Sequence, residues 1–79
     1  SGNINLEKAA VGCEGKVYLT IPPMRQGEGK VQITISGAVR EYNAVTDSED
    51  TLRNGASIRV AEVINSNTLL VEEINSYIV

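Results

Sequence analysis

Between Gly29 and Val45 the chain alternates apolar and polar residues. Val31, Ile33 and Ile35 are interleaved with Lys30, Gln32, Thr34 and Ser36. That period of two is the mark of a strand with one buried face. Ser36-Gly37-Ala38 supplies a tight reversal, and Val39 to Val45 reads as a second strand folded back on the first. A hairpin with one apolar side cannot bury that side alone, so the remaining sequence must provide covering strands. The same alternation recurs at Lys16 to Ile21, where Val17, Leu19 and Ile21 share one parity. Ser57 to Ile64 and Thr68 to Ile74 supply two further strands. Within the former, Val63 has the opposite parity from Ile58 and Val60, which a bulge near Ala61-Glu62 or burial of both faces would reconcile. In the last strand Leu69 and Val71 point one way and Leu70 the other.

The connecting segments carry their own signals. Asn3 to Ala10 has a weak helical or linker pattern that Gly12 ends. Pro22-Pro23 stops the first strand because neither residue donates to a ladder. Met24 to Glu28 follows as a loop, with Gly27 and Gly29 as its flexible points. In the polar, acidic segment Thr46 to Asp50, Asp47 or Ser48 is placed to cap a short helical turn, with Leu52 tucked inward. Asn54-Gly55 and Asn65-Ser66-Asn67 read as turns. Gly12, Gly15, Gly37 and Gly55 are turn or close-packing positions.

Five short strands with one helical turn between the third and fourth fit an all-β, five-stranded, OB-fold-like Greek-key barrel. Closure also removes the exposed edges that so small an open sheet would carry. An SH3-like five-stranded barrel is the alternative. The expected division is a tag remnant (Ser1-Gly2) with a tether over 1–10, the barrel over 11–74 and a tail over 75–79.

Composition narrows the chemistry. The 79 residues carry a net charge of −3, which weighs against nucleic acid as the main partner. There is no histidine, so the commonest general base and the commonest metal ligand are both missing. A single cysteine, Cys13, forms no internal disulfide, in keeping with a reducing compartment. No apolar run approaches the roughly 20 residues that span a bilayer. No catalytic constellation is present, and neither a cofactor site nor a metal site is expected. Asp47, Glu49 and Asp50 lack the spacing, central glycine and terminal glutamate of a calcium loop.

Several motifs nevertheless form a familiar set. Val11-Gly12-x-x-Gly15 opens a strand, and a proline loop leads to Gly29-x-Val31. Ala44, three residues before an acidic loop, is followed by Leu52-x-x-Gly55-x-x-Ile58-x-Val60, then Val63 and Leu69-Leu70-Val71. Over roughly Val11 to Glu73 the chain resembles the soluble C-terminal domain of the NfeD family, in particular its short, flotillin-associated members with an Ile-Pro segment as at Ile21-Pro22. The resemblance implies an OB-fold module tethered to transmembrane helices, on the cytoplasmic side. It also implies a non-catalytic role in membrane organisation with stomatin/prohibitin/flotillin-type partners. Longer members carry a serine-protease domain with a Ser-Lys pair, and nothing in these residues corresponds to it. Two alternatives stand beside this reading: an oligonucleotide- or glycan-binding OB domain, and an accessory domain of a membrane serine protease.

Candidate contacts follow from both lines. OB folds bind ligands on the face of their second and third strands. There Lys30, Gln32, Thr34, Arg40 and Glu41 would point outward, with Tyr18 and Tyr42 as the available stacking platforms and Lys16 as a basic neighbour. The plainer reading places Tyr42 in the core with Ala44 and leaves the charges solvated. Met24 and Arg25, of interface-enriched types, lie in a loop between a Pro-Pro stop and two glycines. Met24, Arg25, Lys30, Arg40 and Tyr18 are therefore the candidate partner-contact residues.

Overall fold

The computed structural model describes residues 5–75. The expectations for Ser1-Gly2 and for most of the tail lie outside them. A short helix, α1 (Asn5–Ala10), precedes five strands: β1 (Glu14–Leu19), β2 (Gly29–Ile35), β3 (Ala38–Val45), β4 (Ser57–Asn65) and β5 (Thr68–Glu73). They close into a barrel in the order β1-β2-β3-β5-β4, with β3 and β5 parallel and every other pair antiparallel. This is the OB-fold-like architecture.

The β2–β3 hairpin turns at Ser36-Gly37, whose φ angles of 51° and 80° are both positive. Two positive-φ residues make the turn whose twist matches that of the flanking strands. Its register sets Ile35 opposite Ala38, Ile33 opposite Arg40, Val31 opposite Tyr42 and Gly29 opposite Ala44. Directly paired residues share a face. Val31, Ile33, Ile35 and Ala44 are buried, and Tyr42 packs partly buried against them. Val39 and Glu41 lie on the outer face, whereas Arg40 has the parity of the core. Arg40 and Glu41 therefore lie on opposite faces, which corrects the expectation that both project with Lys30. Arg40 nevertheless stays exposed, because the hairpin extends past the strands that cover the core.

Strand β1 departs from simple alternation. A register shift between Val17 and Leu19 inserts Tyr18 as an extra residue. Val17 and Ile21 are buried, but Leu19 is 47% exposed. The bulge turns Leu19 outward, opposite Lys30, and bends β1 so that it pairs with both β2 and β4. The mismatch in β4 has the same physical origin. A shift between Val60 and Glu62 leaves Ala61 unpaired, and Val63 returns to the core face opposite Leu69. In β5 both parities are covered: Leu69 and Val71 face the core, and Leu70 is also buried.

The expected helical turn between β3 and β4 is not there. Its side chains are engaged otherwise: the Ser48 backbone N–H donates to Thr46 Oγ1 at 3.2 Å and the Asp50 N–H to Ser48 Oγ at 3.0 Å. Such local bonds compete with helix formation. The one 3-10 turn lies instead between β1 and β2, at Pro23–Arg25. Leu52 is tucked inward as expected and exchanges two backbone hydrogen bonds with Ile21, each 2.9 Å. The segment between β3 and β4 is thus tied to the chain just after β1 through Leu52 and Ile21. Asn5–Ala10 is helical, Ala10 is fully buried, and Gly12 at φ 86° turns the chain into β1.

Gly15 sits inside β1 rather than in a turn. A Cβ there would lie 2.0 Å from the Gln32 carbonyl oxygen, and one on Gly29 would lie 2.3 Å from the Leu19 oxygen. A Cβ at Gly37 would meet nothing within 4 Å. Gly15→Ala should therefore cost about 3 kcal/mol of overpacking, whereas Gly37→Ala should cost about 1 kcal/mol of backbone strain. Urea unfolding of both variants measures the difference, and equal midpoints would refute the close-approach account.

Candidate functional site

The β1–β2 connection is built from residues that fix backbone rather than fill the core. Pro22 and Pro23 restrict φ on entry, and both Met24 and Arg25 then adopt φ of 55°. That left-handed conformation is disfavoured for residues with a Cβ, by roughly 1–2 kcal/mol each. The surroundings impose it. The Met24 N–H donates to the Ser48 carbonyl at 2.9 Å and the Arg25 N–H to the Thr46 carbonyl at 2.8 Å. Arg25 also forms a two-pronged contact with Asp47, Nε to Oδ1 at 2.6 Å and Nη2 to Oδ2 at 3.2 Å. Thr46 anchors the other side, its buried hydroxyl donating to the Val71 carbonyl at 2.8 Å. The loop is therefore held by the segment that follows β3 and, through Thr46, by β5.

Large apolar side chains stay exposed on this loop and just before it. Met24 is 55% exposed, and Tyr18 (46%) and Leu19 (47%) lie exposed on the strand that leads into the loop. The Tyr18 carbonyl accepts a 2.7 Å bond from Asn54 Nδ2, which ties the bulge to the β3–β4 segment.

The five candidate residues do not form one site. Met24 and Arg25 belong to the clamped loop, and Tyr18 to the strand before it. Lys30 lies on the outer face of the hairpin with Nζ 3.7 Å from Glu41 Oε2. Arg40 stands apart near the hairpin tip, of opposite parity to Lys30. Of the candidate stacking and basic groups, Tyr42 and Lys30 meet in one cleft, which acidic Glu41 also lines. Tyr18 and Arg40 lie elsewhere, so these groups do not form the basic groove that single-strand binding requires. Sequence reasoning missed Asp47 and Thr46 as the residues that hold the loop. Their only signal was a threonine-aspartate pair directly after an apolar strand.

Other chemistry is sparse. Among the described residues no group of three His, Cys, Asp or Glu side chains could hold a metal ion. Cys13 is half-buried, its Sγ 3.2 Å from the Ala9 carbonyl. Arg59 reaches Glu14 and Glu72 at 3.8 Å each and so straps the β1–β4–β5 seam. A cleft of about 240 Å³ is lined by Lys30, Glu41, Tyr42, Asn43 and Asn67 where β5 begins alongside β3. No helix of the described residues is long and apolar enough to cross a membrane.

Five strands in this order, with β3 and β5 parallel and a clamped loop after β1, define an OB-type barrel module. Three solved structures share that fold. The soluble domain of the NfeD protein YuaF from Bacillus subtilis aligns with TM-score 0.68 and 25% identity over 85% of this chain and 75% of that one. The C-terminal domain of stomatin operon partner protein 1510-C from Pyrococcus horikoshii gives 0.61 and 20% identity, covering 89% of this chain and 95% of its own. The soluble domain of a Corynebacterium glutamicum membrane protein implicated in regulation of membrane protease activity gives 0.56 and 21%, covering 84% and 94%. No protein-family model matches the chain. No curated protein matches it closely in sequence. The chain is thus similar in fold to the soluble domains of NfeD-type proteins.

The clamp has a pH signature. The hydrogen bonds from Arg25 hold the Asp47 carboxyl below its usual range, and Asp47 in turn raises the Arg25 guanidinium. Because the folded-state pKa of Asp47 is depressed, its contribution is present above the unfolded value of about 3.9 and lost as pH falls through the folded value. A carboxyl NMR titration should find Asp47 below the ordinary aspartate range in the native protein and back near about 3.9 in Arg25→Ala. An ordinary value in the native protein would mean that the clamp does not persist in solution.

Proposed function

We propose that this domain is the non-catalytic protein-interaction module of a membrane-anchored NfeD-like protein, acting with a stomatin/prohibitin/flotillin-type partner in membrane organisation. In this reading residues 1–10 are a tag remnant (Ser1-Gly2) and a tether from membrane-spanning segments of the full protein, residues 11–74 form the barrel and 75–79 a tail, with the barrel on the cytoplasmic side. Met24 and Arg25 are the contact, with Tyr18 beside them.

One observation carries the reading. Two consecutive side-chain-bearing residues are held in the left-handed region by backbone hydrogen bonds and a bidentate ion pair. Strain of that kind persists only where the surroundings enforce it, and it concentrates at ligand contacts. Here it exposes a methionine and an arginine, types favoured at interfaces, on a rigid barrel. The partner class draws support from the Pyrococcus neighbour, which is named a stomatin operon partner protein. Membrane attachment draws support from the Corynebacterium neighbour, a soluble domain of a membrane protein.

The test uses the natural full-length protein. It should remain in the membrane pellet through a high-salt wash, leave only with detergent, and bring a stomatin-type protein with it on affinity purification. Replacing Met24 and Arg25 together by alanine should weaken that association at least tenfold, about 1.4 kcal/mol. Met24→Ala alone should leave the unfolding midpoint unchanged, because the side chain is exposed. Unaltered association of the double variant would remove the loop from the proposal, and a freely soluble full-length protein would overturn the membrane reading.

A further inference from the structure

The barrel is closed, but its β2–β3 hairpin is longer than its cover. Strand β3 pairs with β2 from Ala38 to Ala44, yet with β5 only from Asn43 to Val45. In an antiparallel ladder alternate residues direct both backbone groups to the same neighbour. The two-residue turn makes Ile35 and Ala38 a hydrogen-bonded pair, so Ala38, Arg40 and Tyr42 bond to β2. Val39, Glu41 and Asn43 then point to the opposite edge, and the Asn43 N–H does so, donating to the Asn67 carbonyl at 3.0 Å. Among the described residues, nothing pairs with the outward N–H and C=O groups of Val39 and Glu41.

An open edge of this kind is a template for another strand. Between Ala38 and Tyr42 there is no proline, no lysine and no bulge, and the protection against indiscriminate pairing is the charge of Arg40 and Glu41. Val39 is 68% exposed, the most exposed of the large apolar residues described. Where the edge meets the start of β5, the cleft lined by Glu41, Tyr42, Asn43, Asn67 and Lys30 leaves room for the end of an added segment.

We infer that this edge receives an extended segment of a partner protein as an added strand, with an apolar residue beside Val39 and an acidic residue beside Arg40. Charge selects this occupant. Arg25, Lys30 and Arg59 each have a carboxylate within 4 Å. Arg40, like Lys8, Lys16 and Arg53, has no such partner among the described residues, and of these four it is the one that lies on the open edge. A second copy of this chain is the poorer occupant. Antiparallel pairing about a two-fold axis centred on Arg40 sets Arg40 against its own copy, and centring it on Glu41 sets two glutamates together. Like charges directly opposite are destabilising. Centring it on Val39 runs Glu41 into the Ser36-Gly37 turn of the other copy, so that of the two open positions only Val39 is paired. The edge is separate from the Met24–Arg25 loop, and the inference stands without the function proposed above.

The experiment is amide hydrogen exchange by NMR on the 79-residue chain, with and without the blocked peptide Thr-Val-Glu-Val-Thr at about 1 mM, the weak end of specific binding. In the free protein the Val39 and Glu41 amides should exchange at least tenfold faster than those of Arg40 and Tyr42. The peptide should slow Val39 and Glu41 at least tenfold and leave Ile58 and Leu69 unchanged. Arg40→Glu should abolish that protection and transfer it to the peptide with lysine in place of glutamate. Val39→Pro removes one outward donor without touching the core and should also abolish it. Protection already present in the free chain and rising with its concentration, together with a doubled mass in sedimentation, would make the edge a self-association surface and overturn the proposal. So would a peptide that leaves both amides unchanged.

Discussion

The barrel closes because β1 can lie against β2 with nothing between them. At Gly15 the Gln32 carbonyl occupies the space a side chain would take, and at Gly29 the Leu19 and Thr20 carbonyls do so. Without that approach β1 could not coil far enough to pair with β2 on one side and β4 on the other. The Tyr18 bulge continues the same bend. The buried set of Val17, Ile21, Val31, Ile33, Leu52, Ile58, Val60, Leu69 and Val71 is then enclosed on all sides by five short strands. A chain of this size has little core to spare, so closure and burial stand or fall together.

The clamped loop is a consequence of the same geometry. The bend carries the chain out of β1 across the end of the barrel, where Ile21 meets Leu52 in a reciprocal bridge. That bridge brings the β1–β2 loop beside the segment after β3, and Asp47 comes within reach of Arg25. Both side chains are solvated, so the ion pair adds little to global stability. Its effect is local: it holds one geometry of a loop whose backbone is unfavourable, and it keeps Met24 exposed.

Much of this was legible in the sequence because strands with one buried face announce themselves by parity. The alternation in β2, the inward Leu52 and the parity mismatch at Val63, with a bulge as one of its two resolutions, all follow from counting residues. The failures share one cause, that parity is local and closure is not. Leu19 has the parity of Val17 and Ile21 but faces out, because the bulge at Tyr18 intervenes. Asp47 and Ser48 have the composition of a helix cap, but the only groups within reach were Arg25 and neighbouring backbone. The resemblance to NfeD domains located the fold through its glycines and apolar positions. Of the loop it marked only the Ile21-Pro22 start, not the conformation, which depends on contacts with residues more than 20 positions away.

The exposed Val39 shows how one register decides two surfaces. Once the turn is fixed at Ser36-Gly37, Val39 must sit opposite Thr34 on the outer face, and Arg40 must take a core parity beyond the reach of the core. To cover the edge, β5 would have to reach back along β3 from Asn43, its first partner there, to Val39. The overhang is not wholly outside the core either, since its first pair sets buried Ile35 opposite exposed Ala38. Its sequence lacks the proline, lysine or bulge that commonly keeps such an edge from pairing, and the charge of Arg40 and Glu41 takes their place. What remains at the edge, an apolar residue beside an uncompensated arginine, suits an acidic, extended neighbour better than water or a second copy of the chain.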